Sequence, residues 1–154
     1  MRTMLLSFKP EVFDRVVSGQ KIFEHRSVFP NEDVIAYLYV SSPVQAIKGV
    51  MLLTNKVNLI DWKEQYKNDI EVIKRIDKYL KDYKCVMQIS RFQNTTSISL
   101  DRLRKERDRF IVPQMYYYLD GTDLLKYIQD NIEYIGEPIE HDFSCISSEQ
   151  ICVL

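Results

Sequence analysis

Ser18-Gly19-Gln20-Lys21-Ile22-Phe23-Glu24-His25-Arg26 is the stretch that decides how this chain is read. Upstream of it, Lys9-Pro10 opens a helix whose Val12, Phe13, Val16 and Val17 recur at helical spacing on one face. Pro at a first-turn position costs nothing there, because its missing N–H has no helical partner to lose. Gly19 stands where a helix ends in the left-handed region. Downstream, Lys21 to Phe29 reads as a strand. In extended backbone Lys21, Phe23 and His25 point one way, and Ile22, Glu24 and Arg26 the other. Glu24 and Arg26 are then same-face neighbours placed to pair. A lysine, a carboxylate, an imidazole and a guanidinium in so short a run exceed what a core strand needs.

Working outward, Thr3 to Phe8 reads as a buried strand and Pro30 to Asp33 as a turn. Val34 to Val40 is a strand, β-branched and aromatic almost throughout. Ser41-Ser42-Pro43 breaks it. Ala46 to Ile60 is a long strand with Gly49 as a bulge or point of close approach. Asp61 to Tyr83 is one helix, capped by Asp61, with Trp62, Tyr66, Ile70, Ile73, Ile76, Leu80 and Tyr83 in a stripe. Lys84 to Phe92 is strand, Gln93 to Ser97 a turn, and Ile98 to Leu103 a strand or short helix. Phe110 to Gln114 is a loop before a last strand, Met115 to Leu119. Thr122 caps a helix reaching about Asn131. Residues 132–154 have little periodicity and read as a wrapping or partly mobile extension. The expected fold is α+β: a mixed or antiparallel sheet, closed into a small barrel, with helices inserted between strands.

The chain has 154 residues, 45% hydrophobic and 28% charged, which suits a single globular core. It has no apolar run long enough to span a bilayer, so no membrane partner is expected. Cys85, Cys145 and Cys152 are odd in number and widely spaced. That pattern suits reduced thiols and a cytoplasmic location better than a disulfide frame. With only His25 and His141 beside them, neither a metal site nor a cofactor is expected. The net charge of −1 hides an asymmetry: residues 120–154 hold one base, Lys126, against eight acids, so they carry −7 and residues 1–119 carry +6. A basic body suits an anionic partner, and an acidic segment can lie against it.

Several stretches taken together resemble the ASCH domain, a family of the PUA-like superfamily of small β-barrels. They are Leu5-Leu6-Ser7-Phe8-Lys9-Pro10, then Gly19 to Arg26, then Tyr39-Val40-Ser41-Ser42-Pro43-Val44 with Ile47-Lys48-Gly49, and finally Pro113-Gln114 before Tyr116-Tyr117-Tyr118-Leu119. The resemblance covers about residues 3–119. Its most specific part is G-x-K-x-x-E-x-R followed by S-S-P. It implies a domain over 1–119, with 120–154 as an acidic helix and extension packed on or beside it. It also implies a cleft beside the first helix that binds RNA or a nucleoside-like molecule. Some relatives resemble amidohydrolases that deacylate N4-acetylcytidine, and others ribonucleases. In the amidohydrolase-like pattern the lysine activates a threonine; here that position is Glu24, which removes the nucleophile.

The expected ligand-binding set is therefore Lys21, Glu24, Arg26, Ser41, Ser42 and Gln114. If the protein is an enzyme, Lys21 and Glu24 are the catalytic candidates, working through an activated water. A desolvated lysine can act as a base or hold phosphate. Ser41 and Ser42 end a strand where hydroxyls and backbone N–H groups can meet an anion, and Gln114 can pair with a base edge. A tyrosine of 116–118 can stack a base. Against these stand plainer roles: a bracing Glu24–Arg26 ion pair, a capped turn, a loop amide, and a solvated face for the basic run Arg102 to Arg109.

Overall fold

A computed structural model describes residues 1–152. The chain runs β1 (Arg2–Phe8), α1 (Pro10–Val17), β2 (Phe23–Arg26), β3 (Val34–Val40), β4 (Ala46–Asn58), α2 (Leu59–Gln65), α3 (Ile70–Tyr79), β5 (Cys85–Ser99), α4 (Leu100–Glu106), β6 (Tyr116–Tyr118), α5 (Asp123–Asn131) and β7 (Tyr134–Glu140), with a final 3-10 turn at Ser148–Gln150. The seven strands form one sheet in the order β2-β5-β4-β3-β1-β6, with β7 also on β5. Only β1 and β3 are parallel; the other pairings are antiparallel. The sheet curls into a half-barrel with helices between its strands, an α+β arrangement.

The core follows from the pattern of apolar residues. Phe13 and Val16 of α1 pack on Met51, Met87 and Phe92 across the concave sheet. Phe13 meets Phe92 edge-on at 5.8 Å. Both rings fit because Gly49 has no side chain: a Cβ there would lie 3.1 Å from the Phe92 ring and 3.3 Å from that of Phe13. The ladder also shifts register between Ile47 and Gly49, so the bulge and the close approach coincide. A second cluster joins Ile22 and Phe23 to Trp62 of α2, Val72 and Ile76 of α3, and Ile151. A third lies under α4 and α5, with Ile98, Leu103 and Ile128 fully buried.

Five expectations are corrected. The predicted helix 61–83 is two helices, because the chain turns at 66–69 and Asp69 starts a new one by accepting a hydrogen bond from Val72 N at 3.2 Å. The first of the two starts at Leu59 after Asn58, so Asp61 lies inside it and is no cap. The restart changes the buried face to Val72, Ile76 and Tyr79, and leaves Ile70 69% exposed. The predicted turn at 93–97 is continuous strand. Its polar side chains are satisfied within the sheet: Gln93 Nε2 donates to the carbonyls of Asn94, Ile135 and Gly136 at 2.9–3.1 Å. Those last two carbonyls belong to β7, a strand in the segment read as aperiodic. β7 is mostly exposed on both faces, so it carries no alternation to detect. The strand read over 21–29 is also shorter, covering only Phe23–Arg26.

The restart predicts a difference between two aspartates. Asp69→Ala is expected to cost about 1 kcal/mol, the usual loss of an N-cap. Asp61→Ala is expected to be near neutral. Urea denaturation of the two variants checks this, and equal effects would contradict the two-helix arrangement.

Candidate functional site

Gly19 adopts φ +81° after α1, a conformation that favours glycine. The turn lets Lys21 N donate to Arg15 O at 3.0 Å, folding the chain back under the helix. Lys21 therefore lies ahead of β2 rather than in it, and the strand alternation does not govern its side chain. It shares a cleft with Glu24 and Arg26. Those two sit on one face of β2 as expected, with Arg26 Nε 3.2 Å from Glu24 Oε1. That N–H is not aligned on a hydrogen bond; Arg26 Nη2 instead donates to Ser7 O of β1 at 3.0 Å. The guanidinium thus ties β2 to β1, which lie four places apart in the sheet order.

The cleft has a volume of about 620 Å³ and lies between α1, β2 and the ends of β1 and β3. Five of the six expected residues line it: Lys21, Glu24, Arg26, Ser41 and Gln114. Ser41 is placed by its N–H bond to Phe8 O at 2.9 Å. Ser42 does not line the cleft; it is exposed in the turn that carries the cis Ser42–Pro43 bond. The sequence reading missed Lys9 and Arg15 at the α1 side, and His25 and Tyr83 at the other. Lys9 and Arg15 belong to a helix read only for its apolar face. Tyr83 lies beyond the end of α3, and only the fold brings it to β2.

Charge is concentrated here. Lys21 is 2% exposed and Glu24 5% exposed. Burial pushes the Lys21 ammonium below the ordinary lysine value, and Glu24 opposes that shift. Glu24 Oε2 is buried with no hydrogen-bond partner among the described residues. His25 is 3% exposed and stands edge-on to Tyr79 at 4.9 Å, with Tyr83 at 6.2 Å. Burial, and then the nearby Lys21 and Arg26 charges, hold its pKa well below the ordinary 6.5. The ring is therefore neutral at physiological pH.

Other candidates lie elsewhere. Tyr116 and Tyr117 donate their hydroxyls to Val28 O and Ile111 O, and Arg2 covers the Tyr118 ring at 3.6 Å. The Arg102–Arg109 run does not line the cleft. Arg102 pairs with Glu106 and Asn131, and Arg107 lies over Tyr127, so both hold α5 against α4. A second depression, of about 670 Å³, is lined by Glu32, Asp33 and Asp61. Its lysine, Lys56, is committed to Phe29 O and Asn31 Oδ1. Among the described residues no group of three or more His, Cys, Asp or Glu is placed to hold a metal ion, and no helix is long and apolar enough to cross a membrane.

No protein-family model and no curated protein sequence matches the chain. Solved structures do. An ASCH structure from Zymomonas mobilis superposes with a TM-score of 0.62 at 20% identity, over 86% of this chain and 96% of that one. A mutant of the same bacterial protein gives 0.61 at 21% identity, over 83% and 95%. The fold is that of an ASCH domain. In this ASCH fold the cleft sits against the first helix and the glycine turn that follows it.

The neutral, buried His25 makes stability pH-dependent. Unfolded, the ring takes up a proton as pH falls through 6.5, while the folded protein resists it. Stability is therefore complete above about pH 6.5 and declines below it, by up to about 1.4 kcal/mol per pH unit. His141 is shifted the same way by burial and adds to the decline. His25→Phe should flatten most of this acid slope in denaturation curves between pH 7 and 5. An unchanged slope would show that His25 is not buried neutral.

Proposed function

We propose that this ASCH-fold protein binds RNA or a nucleoside-like molecule in the cleft formed by Lys21, Glu24, Arg26, Ser41 and Gln114. The observation that carries the reading is Glu24 Oε2, a buried carboxylate oxygen that has no hydrogen-bond partner among the described residues, on the wall of an open cleft. A buried acceptor left unpaired is costly, so it suits a ligand that brings an N–H donor. Nucleobases present such donors, and carboxylates accept from them. The volume falls in the range of small-molecule sites. Four bases, Lys9, Arg15, Lys21 and Arg26, outnumber the two acids, Glu11 and Glu24, along the walls. That balance favours the phosphate or carbonyl oxygens of the same ligand. Gln114 adds an amide that both donates and accepts.

Binding should weaken as salt rises, and Lys21→Met, which keeps the stem and removes the charge, should reduce affinity by about tenfold or more. Fluorescence titration with short RNA pools and with free nucleosides measures both. Absence of binding to any of them at low salt would refute the reading.

A second reading, a hydrolase acting on acylated nucleosides or on RNA, draws support from the lowered pKa of Lys21, which suits a general base beside Glu24. Glu24 in place of a hydroxyl nucleophile leaves only attack by water. Turnover of N4-acetylcytidine or RNA that disappears in both Lys21→Met and Glu24→Gln would favour this reading. Unchanged substrate after prolonged incubation leaves binding alone.

A further inference from the structure

His25 fits poorly as a mere filler of the core. Its ring packs among Trp62, Tyr79 and Tyr83, where a phenyl group would make the same edge contacts. Both imidazole nitrogens are buried, and neither has a hydrogen-bond partner among the described residues. A phenyl ring would avoid that cost altogether. The residue also lines the cleft, next to Glu24 and beside Tyr83. Two neighbouring residues of β2, on its two faces, therefore carry three polar atoms unsatisfied among the described residues, Glu24 Oε2 and the two ring nitrogens of His25, and both residues line the one cleft.

We propose that His25 is a ligand-contacting, specificity-determining residue of the cleft, reading the edge of an uncharged heterocycle with one ring N–H and one ring lone pair. This rests on the nucleoside-binding reading above and adds an orientation to it. A neutral imidazole is one donor and one acceptor. Nucleobase edges place N–H groups beside carbonyl or ring-nitrogen acceptors, which match that pair. Phosphate offers acceptors only and would leave the His25 lone pair unmet. In this arrangement the base lies at His25 and Tyr83, where Tyr83 supplies an aromatic face, and the charged part of the ligand lies towards Lys9 at the start of α1.

The test is calorimetric titration with adenosine, guanosine, cytidine, uridine and their 5′-monophosphates, on wild type, His25→Phe, His25→Gln and Lys21→Met. His25→Phe should lose about tenfold or more in affinity for whichever nucleosides bind, with no fall in Tm at neutral pH. His25→Gln, which keeps a donor and an acceptor, should retain more of the binding. In wild type the His25 imidazole ¹⁵N resonances should move on saturation; this measurement decides the matter alone if the variants fail to fold. Full affinity in His25→Phe, or resonances that stay fixed at saturation, overturns the assignment while leaving the cleft reading in place if Lys21→Met still weakens binding. Absence of wild-type binding to all eight probes overturns this assignment, and absence of binding to RNA pools as well overturns the cleft reading with it.

Discussion

β5 is the strand on which the rest of the structure depends. Fifteen residues of extended backbone expose peptide groups along two edges, and buried peptide groups need partners. β4 takes one edge for nearly the whole length, with register shifts that let the sheet curl. The other edge is divided: β2 pairs with residues 85–88 and β7 with residues 91–95. A four-residue strand such as β2 has little stability of its own. It is held by β5, by the Phe23 contact with Trp62 at 4.8 Å, and by Arg26 reaching Ser7 O. The chemistry-bearing residues of the chain sit on that borrowed edge.

This explains what the sequence made legible. The parts set by local rules could be read directly: Pro10 at the start of α1, the β-branched run of β3, and Thr122 capping α5 by accepting from Leu125 N. So could the pairing of Glu24 with Arg26, because it needs only the two-residue period of a strand. The parts set by distant partners could not. Gln93 to Ser97 looks like a turn by composition, and becomes strand because β7 offers carbonyls to Gln93. β7 in turn has no alternation because both its faces are largely exposed. The single long helix failed at one residue, Asp69, whose side chain ends one helical register and starts another.

The site was legible in the same uneven way. A contiguous motif can be seen in a sequence, so Lys21, Glu24 and Arg26 were found together, with Ser41 and Gln114 marked by their strand ends. Ser42 was chosen for the same reason as Ser41, but the turn carries it outward. Lys9, Arg15 and Tyr83 come from two other elements, and neither spacing nor composition ties them to β2. Alternation puts His25 opposite Glu24. The alternation holds, since His25 faces the aromatic cluster of α2 and α3. β2 is however an edge strand, and a cleft beside an edge can touch side chains from both faces.

The remaining question is whether this polar cluster exists to brace the half-barrel. Bracing accounts for part of it, because Arg26 links β2 to the end of β1 and neutralises one oxygen of Glu24. It does not account for the rest. Taking charges out of water is costly, and well-packed apolar residues generally do the same structural work at less expense. A bracing network is at its best when every member is satisfied. Here Glu24 Oε2 and both nitrogens of His25 have no hydrogen-bond partner among the described residues, and both residues line a cleft. Arg75 Nε and His141 Nε2 are unmet elsewhere, but four of the six such atoms, Arg26 Nε included, lie on β2 beside one opening, where a ligand's own polar groups would complete the network.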